Sequence, residues 1–353
     1  MNAGRPFKWM IVSVLVLFGL GLVWRQMDHT PFQAGISQTN PKLSLPDPES
    51  SLSEIAKPAA TPTDIELRRH DVVPLSRDQW QALPPNELPL AGAYAVLKSR
   101  ADRGDAPAAC RLAAELGHCR NVIHERDVGP SRYQASGGAE SPDKMSARKA
   151  RLAHCSGVDK AWLADEAGYT RQAALAGNLA AMEAYVSGWF FGSDVYASSV
   201  YLEDYRREAP RLAEAALQAG SFGILVEYES AFGILAGQNL FSRALGDSWD
   251  PEKHRQIALL IAETRPGTKG AGYRKNALVR SDGTSDEKEN EALLRQAAER
   301  FEMWFQGRKS DFTLGGFGRY PFDGSKVHDF NARCTETYVD RPLEAPPIDW
   351  SMP

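Results

Sequence analysis

Residues 173–188 read AALAGNLAAMEAYVSG. Alanine favours helix more than any other residue, yet this run breaks at Gly177-Asn178 and resumes with the same small residues. The break has a physical meaning. A helix commonly ends with a glycine in the left-handed conformation just past its C-cap. The next helix starts best on Asn, Asp or Ser, whose side-chain oxygen accepts from the free N–H groups of the first turn. The stretch therefore predicts two helices meeting at a capped corner.

Two further stretches repeat the pattern. ADRGDAPAACRL (101–112) has the pair Gly104-Asp105, and LQAGSFGILVEY (217–228) has Gly220-Ser221. In each case the residues four and eight positions past the glycine are small or apolar: Ala108 and Leu112, Ala181 and Tyr185, Ile224 and Tyr228. Such residues share one face of the new helix. Gly177 and Gly220 lie 43 residues apart, within the range of repeat periods. Gly104 and Gly177 are nearly two such units apart, and a degenerate copy fits between them, around residues 146–169.

The corners, with Ala173-Ala174, Gly177, Ala181, Tyr185 and Gly188, with Ala215-Ala216, Gly220 and Tyr228, and with Gly104, Ala108 and Leu112, resemble the Sel-one-like repeat (SLR) family, relatives of the tetratricopeptide (TPR) repeats. Ile224 stands where that family usually has alanine, and its glycine-rich link between helices is only hinted at by SGWFFGSD (187–194). The resemblance covers about Leu90 to Leu245. It implies an all-α fold of helix-turn-helix repeats, an α-solenoid that works by protein–protein interaction.

Composition agrees with a mostly helical body. The chain has 353 residues, 43% hydrophobic and 24% charged, enough to bury a substantial core. β-Branched runs are scarce beyond the first segment, and strand-like alternation is weak. A net charge of -4 without a long basic run argues against nucleic acid as a partner.

The N-terminus carries Arg5 and Lys8, an uncharged run from Trp9 to Trp24, and then Arg25. The run reaches the short edge of the roughly 17–25 residues a spanning helix needs. Tryptophans stand at both ends, where aromatic rings favour the headgroup zone. Residues 1–27 are thus expected to be an uncleaved signal-anchor helix, with a cleaved signal peptide as the alternative. Positive charge before the run puts the N-terminus in the cytoplasm, so the expected location is the inner membrane with the body in the periplasm. Residues 28–75, rich in Pro, Ser and Thr, read as a flexible linker. The expected domains that follow are an α-helical repeat body over 76–306 and an irregular, aromatic cap over 307–353.

Four cysteines, Cys110, Cys119, Cys155 and Cys334, allow three pairings. In an oxidising compartment disulfides are expected, and no close pair suggests zinc. PAACRLAAELGHC (107–119) reads as one helix, so Cys110 and Cys119 stand roughly 13 Å apart along it, too far to bond to each other. Cys119–Cys155 and Cys110–Cys334 are the pairing expected.

No catalytic, cofactor-binding or metal constellation emerges. IHERD (123–127) lacks a second histidine at metalloprotease spacing and reads as a solvated loop. His118 reads as a helix-end residue, and His154 as the neighbour of a disulfide. LGGFGRYPFDG (314–324) has no strand-then-helix context for a dinucleotide. Residues 264–290 read as a glycine-rich surface loop. The carboxylate pairs Asp165/Glu166 and Glu227/Glu229 read as solvated faces. Leu293, Ala297, Phe301 and Trp304 or Phe305 form the clearest apolar stripe of a helix. Of the aromatic rings in 187–205, most are expected in the core, with Tyr196 and Tyr201 the candidates for a partner-binding surface. The functional expectation is a membrane-anchored scaffold with a protein partner. Its alternative is a cell-envelope hydrolase with an unrecognised carboxylate site.

Overall fold

A computed structural model describes residues 72–128, 142–192, 199–232, 240–246, 250–265, 268–279, 286–308 and 330–350. The anchor, most of the linker and Tyr196 lie outside these residues. The fold is all-α: no strand occurs among the described residues, apart from an isolated bridge between Asn178 and Tyr338. No described helix is long and apolar enough to cross a membrane.

Twelve helices are described: α1 (Leu90–Ala101), α2 (Ala106–Val128), α3 (Pro142–His154), α4 (Glu166–Leu175), α5 (Leu179–Ser187), α6 (Leu202–Gln218), α7 (Phe222–Phe232), α8 (Leu240–Ala244), α9 (Pro251–Thr264), α10 (Thr268–Ala277), α11 (Glu287–Arg300) and α12 (Phe330–Thr335). A single wide turn, Phe301–Phe305, continues α11.

The three glycine corners share one geometry. Gly104, Gly177 and Gly220 have φ of 94°, 88° and 80°. Each closes its helix with the paired bonds of a Schellman motif. Gly177 N donates to Ala174 O (2.9 Å) and Asn178 N to Ala173 O (3.1 Å), and the other two corners repeat this bond for bond. The following side chain then caps the new helix. Ala108 N donates to Asp105 Oδ1, Ala181 N to Asn178 Oδ1 and Ile224 N to Ser221 Oγ. The result is three helix hairpins, α1–α2, α4–α5 and α6–α7. The residues four and eight past each glycine are all at most 1% exposed.

One core runs through the hairpins. α2 packs on α1 and α4, α5 on α4 and α6, and α7 on α9. Tyr169, Tyr185, Tyr205 and Tyr228 are buried between them. The hydroxyls of Tyr169, Tyr185 and Tyr205 find partners where burial would otherwise leave them costly: Tyr169 donates to Asp102 Oδ1 (2.7 Å), Tyr205 to Val186 O (2.6 Å) and Tyr185 to Glu208 Oε2 (3.1 Å), itself paired with Arg171 at 2.8 Å. Leu293, Ala297, Phe301, Trp304 and Phe305 are all buried, as their stripe predicts.

The sulfurs of Cys110 and Cys334 (Cα–Cα 5.5 Å) and of Cys119 and Cys155 (5.2 Å) are bonded, the pairing expected from the sequence. The first ties α12 to α2 across 224 positions. The second fastens the end of α3 to the middle of α2.

Several expectations are corrected. Part of the stretch read as a glycine-rich loop is α10. A Cβ on Gly270 would stand 2.7 Å from Ala262 O and 2.8 Å from Arg265 O, so this glycine lets two backbones approach and does not loosen the chain. IHERD forms the last turns of α2; His124 is exposed there, but Val122 and Ile123 bury their side chains and keep the helix going. His118 therefore sits inside α2, 2% exposed, with its ring edge-on to His154 and Phe330. Tyr201 is 3% exposed and belongs to the core, so it offers no surface to a partner. Within the expected irregular cap, residues 330–350 include α12 and a short 3-10 turn at Pro342–Glu344.

Candidate functional site

The C-terminal segment defines one face of the hairpins. Leu179 N donates to Thr337 O (3.0 Å) and Val339 N to Gly177 O (2.8 Å), so the backbone runs directly against the second corner. Side chains from the second corner and from α6, α9 and α11 donate to its main-chain carbonyls: Asn178 to Arg333 O, Gln218 to Pro346 O, Gln256 to Trp350 O and Arg300 to Asp349 O. Aromatic contacts anchor its two ends. Tyr338 lies on Trp80 (4.5 Å), and Trp350 packs among Tyr228, Trp304 and the guanidinium of Arg300.

Beside α12, two carboxylates come together from different hairpins. Glu183 of α5 accepts from Ser221 Oγ and from the backbone N–H of Gly223. It thus sits at the N-terminus of α7, where the helix dipole favours an anion. Gly223 makes room for it, since a Cβ there would lie 3.0–3.2 Å from the carboxylate. Burial raises the pKa of Glu183, opposed by Ser221, the charge of Arg333 and the Gly223 N–H. One turn further along α7, half-buried Glu227 is pushed up to about 7, by burial first and then by Glu183. Among the described residues no cation pairs with Glu227.

Glu166 of α4 repeats the construction. It is 8% exposed, packs on Gly117 of α2 and meets Arg120 at 2.9 Å. Burial outweighs that cation and lifts its pKa to about 7. The solvated-face reading is thus corrected for Glu166 and Glu227. Glu229 is half-buried, with His254 at 3.9 Å.

A second polar cluster lies deeper. Arg111 and Glu115 of α2 pair with side chains fully buried. The Arg111 guanidinium also donates to Asn86 and Asn331 and lies 5.3 Å from the centre of the Phe330 ring, while His154 meets the other oxygen of Glu115. This cluster fastens α2 to α3, to α12 and to the segment before α1. Solvent does not reach the Arg111–Glu115 pair, so its role is structural.

Chemically, the Glu183–Glu227 pair can hold one proton near neutrality or meet a cationic group. Ser221 is no free nucleophile, because it donates to Glu183 and caps α7. Among the described residues no group of three or more His, Cys, Asp or Glu side chains could hold a metal ion. The only local sequence signal for this site is Gly223, a glycine in the first turn of a helix, where propensity disfavours it by about 1 kcal/mol. Comparison with family models, curated proteins and solved structures finds no match.

The pKa shifts predict a pH dependence. A carboxyl whose folded-state pKa exceeds its unfolded value of 4.5 binds its proton more tightly in the native protein. Its contribution is complete below that value and is lost as pH rises through about 7. The chain should be more stable to urea at pH 5 than at pH 8, by on the order of 1 kcal/mol for each acid. Glu227→Gln should remove the share of Glu227. Equal stability at both pH values in the wild type would contradict the burial of these acids.

Proposed function

We propose that the chain is a helical-repeat interaction module of the SLR type, anchored in the inner membrane through residues 9–24 and acting on a protein partner in the periplasm. The observation that carries this reading is the track beside the corners. There, Asn178 at the second corner and side chains of α6, α9 and α11 bind the main chain of residues 333–350 through its carbonyls. A surface that reads backbone in this way suits peptide segments generally, because every residue of a peptide presents a main-chain carbonyl. The three equivalent corners support the repeat reading, and the two disulfides support an oxidising compartment.

The test is photo-crosslinking in intact cells. A crosslinking amino acid at Glu227, on α7 next to Tyr228, which packs on Trp350, should give one discrete adduct with another protein. A crosslinking residue at exposed Glu287 serves as the control and should not give it. The same adduct from both positions, or none from Glu227 in correctly folded protein, would count against the module.

A second reading, a cell-envelope hydrolase, is favoured by one observation: Glu183 and Glu227 are close enough for one to raise the pKa of the other. It expects the purified chain to release soluble fragments from cell-wall material, and Glu227→Gln to abolish the release.

A further inference from the structure

We propose that the cleft between α2 and the turn that follows α3, at the Cys119–Cys155 disulfide, binds a small carboxylic acid with a short apolar tail. The cleft has a volume of about 340 Å³ and is lined by Val122, Ile123, Leu152, Cys155 and Val158, with Arg126 and Lys160 also on its wall. Protein interiors rarely leave gaps larger than a water molecule. This one lies where the chain leaves α3: Leu152, residues 155–158 and Lys160 face α2 across it, and the disulfide holds Cys155 to α2. The disulfide fixes the separation of the two helices at that end, so the space is preformed. Its size falls at the low end of ligand sites, about 300–1,000 Å³.

The chemistry of the walls selects the ligand. Val122, Ile123, Leu152 and Val158, with the disulfide, give the cleft an apolar side for a short hydrocarbon, while polar atoms make up the larger share of its exposed wall. Arg126 and Lys160 give the cleft its charge, and Ser156 and Gly157 complete its wall. Arg126 Nε and Lys160 Nζ both hold Asp127, at 2.9 and 3.0 Å. That triad keeps a net charge of +1. The two cationic side chains are 55% and 69% exposed, within reach of a ligand entering from solvent. A guanidinium has five N–H donors and an ammonium three, so the contacts with Asp127 leave donors for a carboxylate. Asp127 itself repels a second anion, which limits the site to a single monoanionic head. An amine head would meet two cations, and a neutral head would forgo the charge-assisted bonds.

Calorimetric titration of the full chain with octanoate, octanol and octylamine, which share one tail, tests this. Octanoate should saturate at one equivalent, octanol should bind about tenfold more weakly and octylamine should give no saturable heat. Arg126→Gln with Lys160→Gln should bring octanoate down to the level of octanol and leave octanol unchanged. Val158→Trp, which fills the cleft, should abolish both while helicity and melting are retained. Equal binding of octanol and octanoate, the absence of saturable octanoate binding, or full binding by a folded Val158→Trp protein would overturn the proposal. If Val158→Trp does not fold, the glutamine pair decides.

Discussion

Gly177→Ala should destabilise the body by roughly 3–5 kcal/mol, about two to three times the cost of the same change at Gly246. Both glycines have left-handed backbone, with φ of 88° and 98°. A side chain in that conformation costs roughly 1–2 kcal/mol at either site. The surroundings differ. A Cβ on Gly246 would meet nothing within 4 Å, whereas one on Gly177 would fall 1.9 Å from Val339 O and 3.0 Å from its carbonyl carbon. The C-terminal backbone must then move away from the corner. It loses the bonds Val339 N to Gly177 O and Leu179 N to Thr337 O, each worth about 1 kcal/mol net. The Cys110–Cys334 bond keeps the displaced segment tethered, so the damage should be local: faster amide exchange at Leu179 and Val339 and little change at α9. Gly177→Val should do no less, since the first added carbon already makes the clash. Urea unfolding of the two alanine variants compares them directly. Equal losses would show that the corner needs glycine only for its conformation and that the C-terminal segment does not bear on it.

What could be read in the sequence is what local physics decides. A glycine followed by Asp, Asn or Ser specifies a helix end and a helix start within two residues, and all three corners take that form. Cys110 and Cys119 on one helix exclude each other as partners, and the apolar stripe from Leu293 to Phe305 names its own buried face. What could not be read depends on residues distant in the chain. Tyr201 looks like a surface ring, yet it is buried in the same core as Phe190 and Tyr205. Glu166 looks like a solvated acid and nothing in the sequence singles out Glu183, yet each is seated on a glycine of another helix, Gly117 or Gly223. Gly270 reads as a loop residue because glycine signals flexibility and close approach with the same letter. The candidate site itself was not legible, because its acids come from two hairpins and Arg333 from a segment more than a hundred positions further on.

The largest loss outside the corners is expected from Arg111→Met. Both side chains of the Arg111–Glu115 pair are fully buried, and removing one member of such a pair leaves the other charge uncompensated, at a cost of roughly 3–5 kcal/mol. Glu115 would keep only His154, and Asn86 and Asn331 would each lose an N–H donor. Glu115→Gln should also be costly, because it leaves the guanidinium with amide oxygens alone. The double variant distinguishes a coupled network from two independent contacts. With neither charge present, the desolvation penalty disappears from both sides, and the introduced methionine side chain can still fill the space against Phe330. Arg111→Met with Glu115→Gln should therefore be less destabilised than the sum of the single changes by roughly 1–3 kcal/mol, the usual range for residues in one network. Urea unfolding of the four proteins at one pH closes the cycle. Strict additivity would mean that the two charges do not depend on each other, and that α12 is held on α2 by the disulfide and Phe330 without help from the guanidinium.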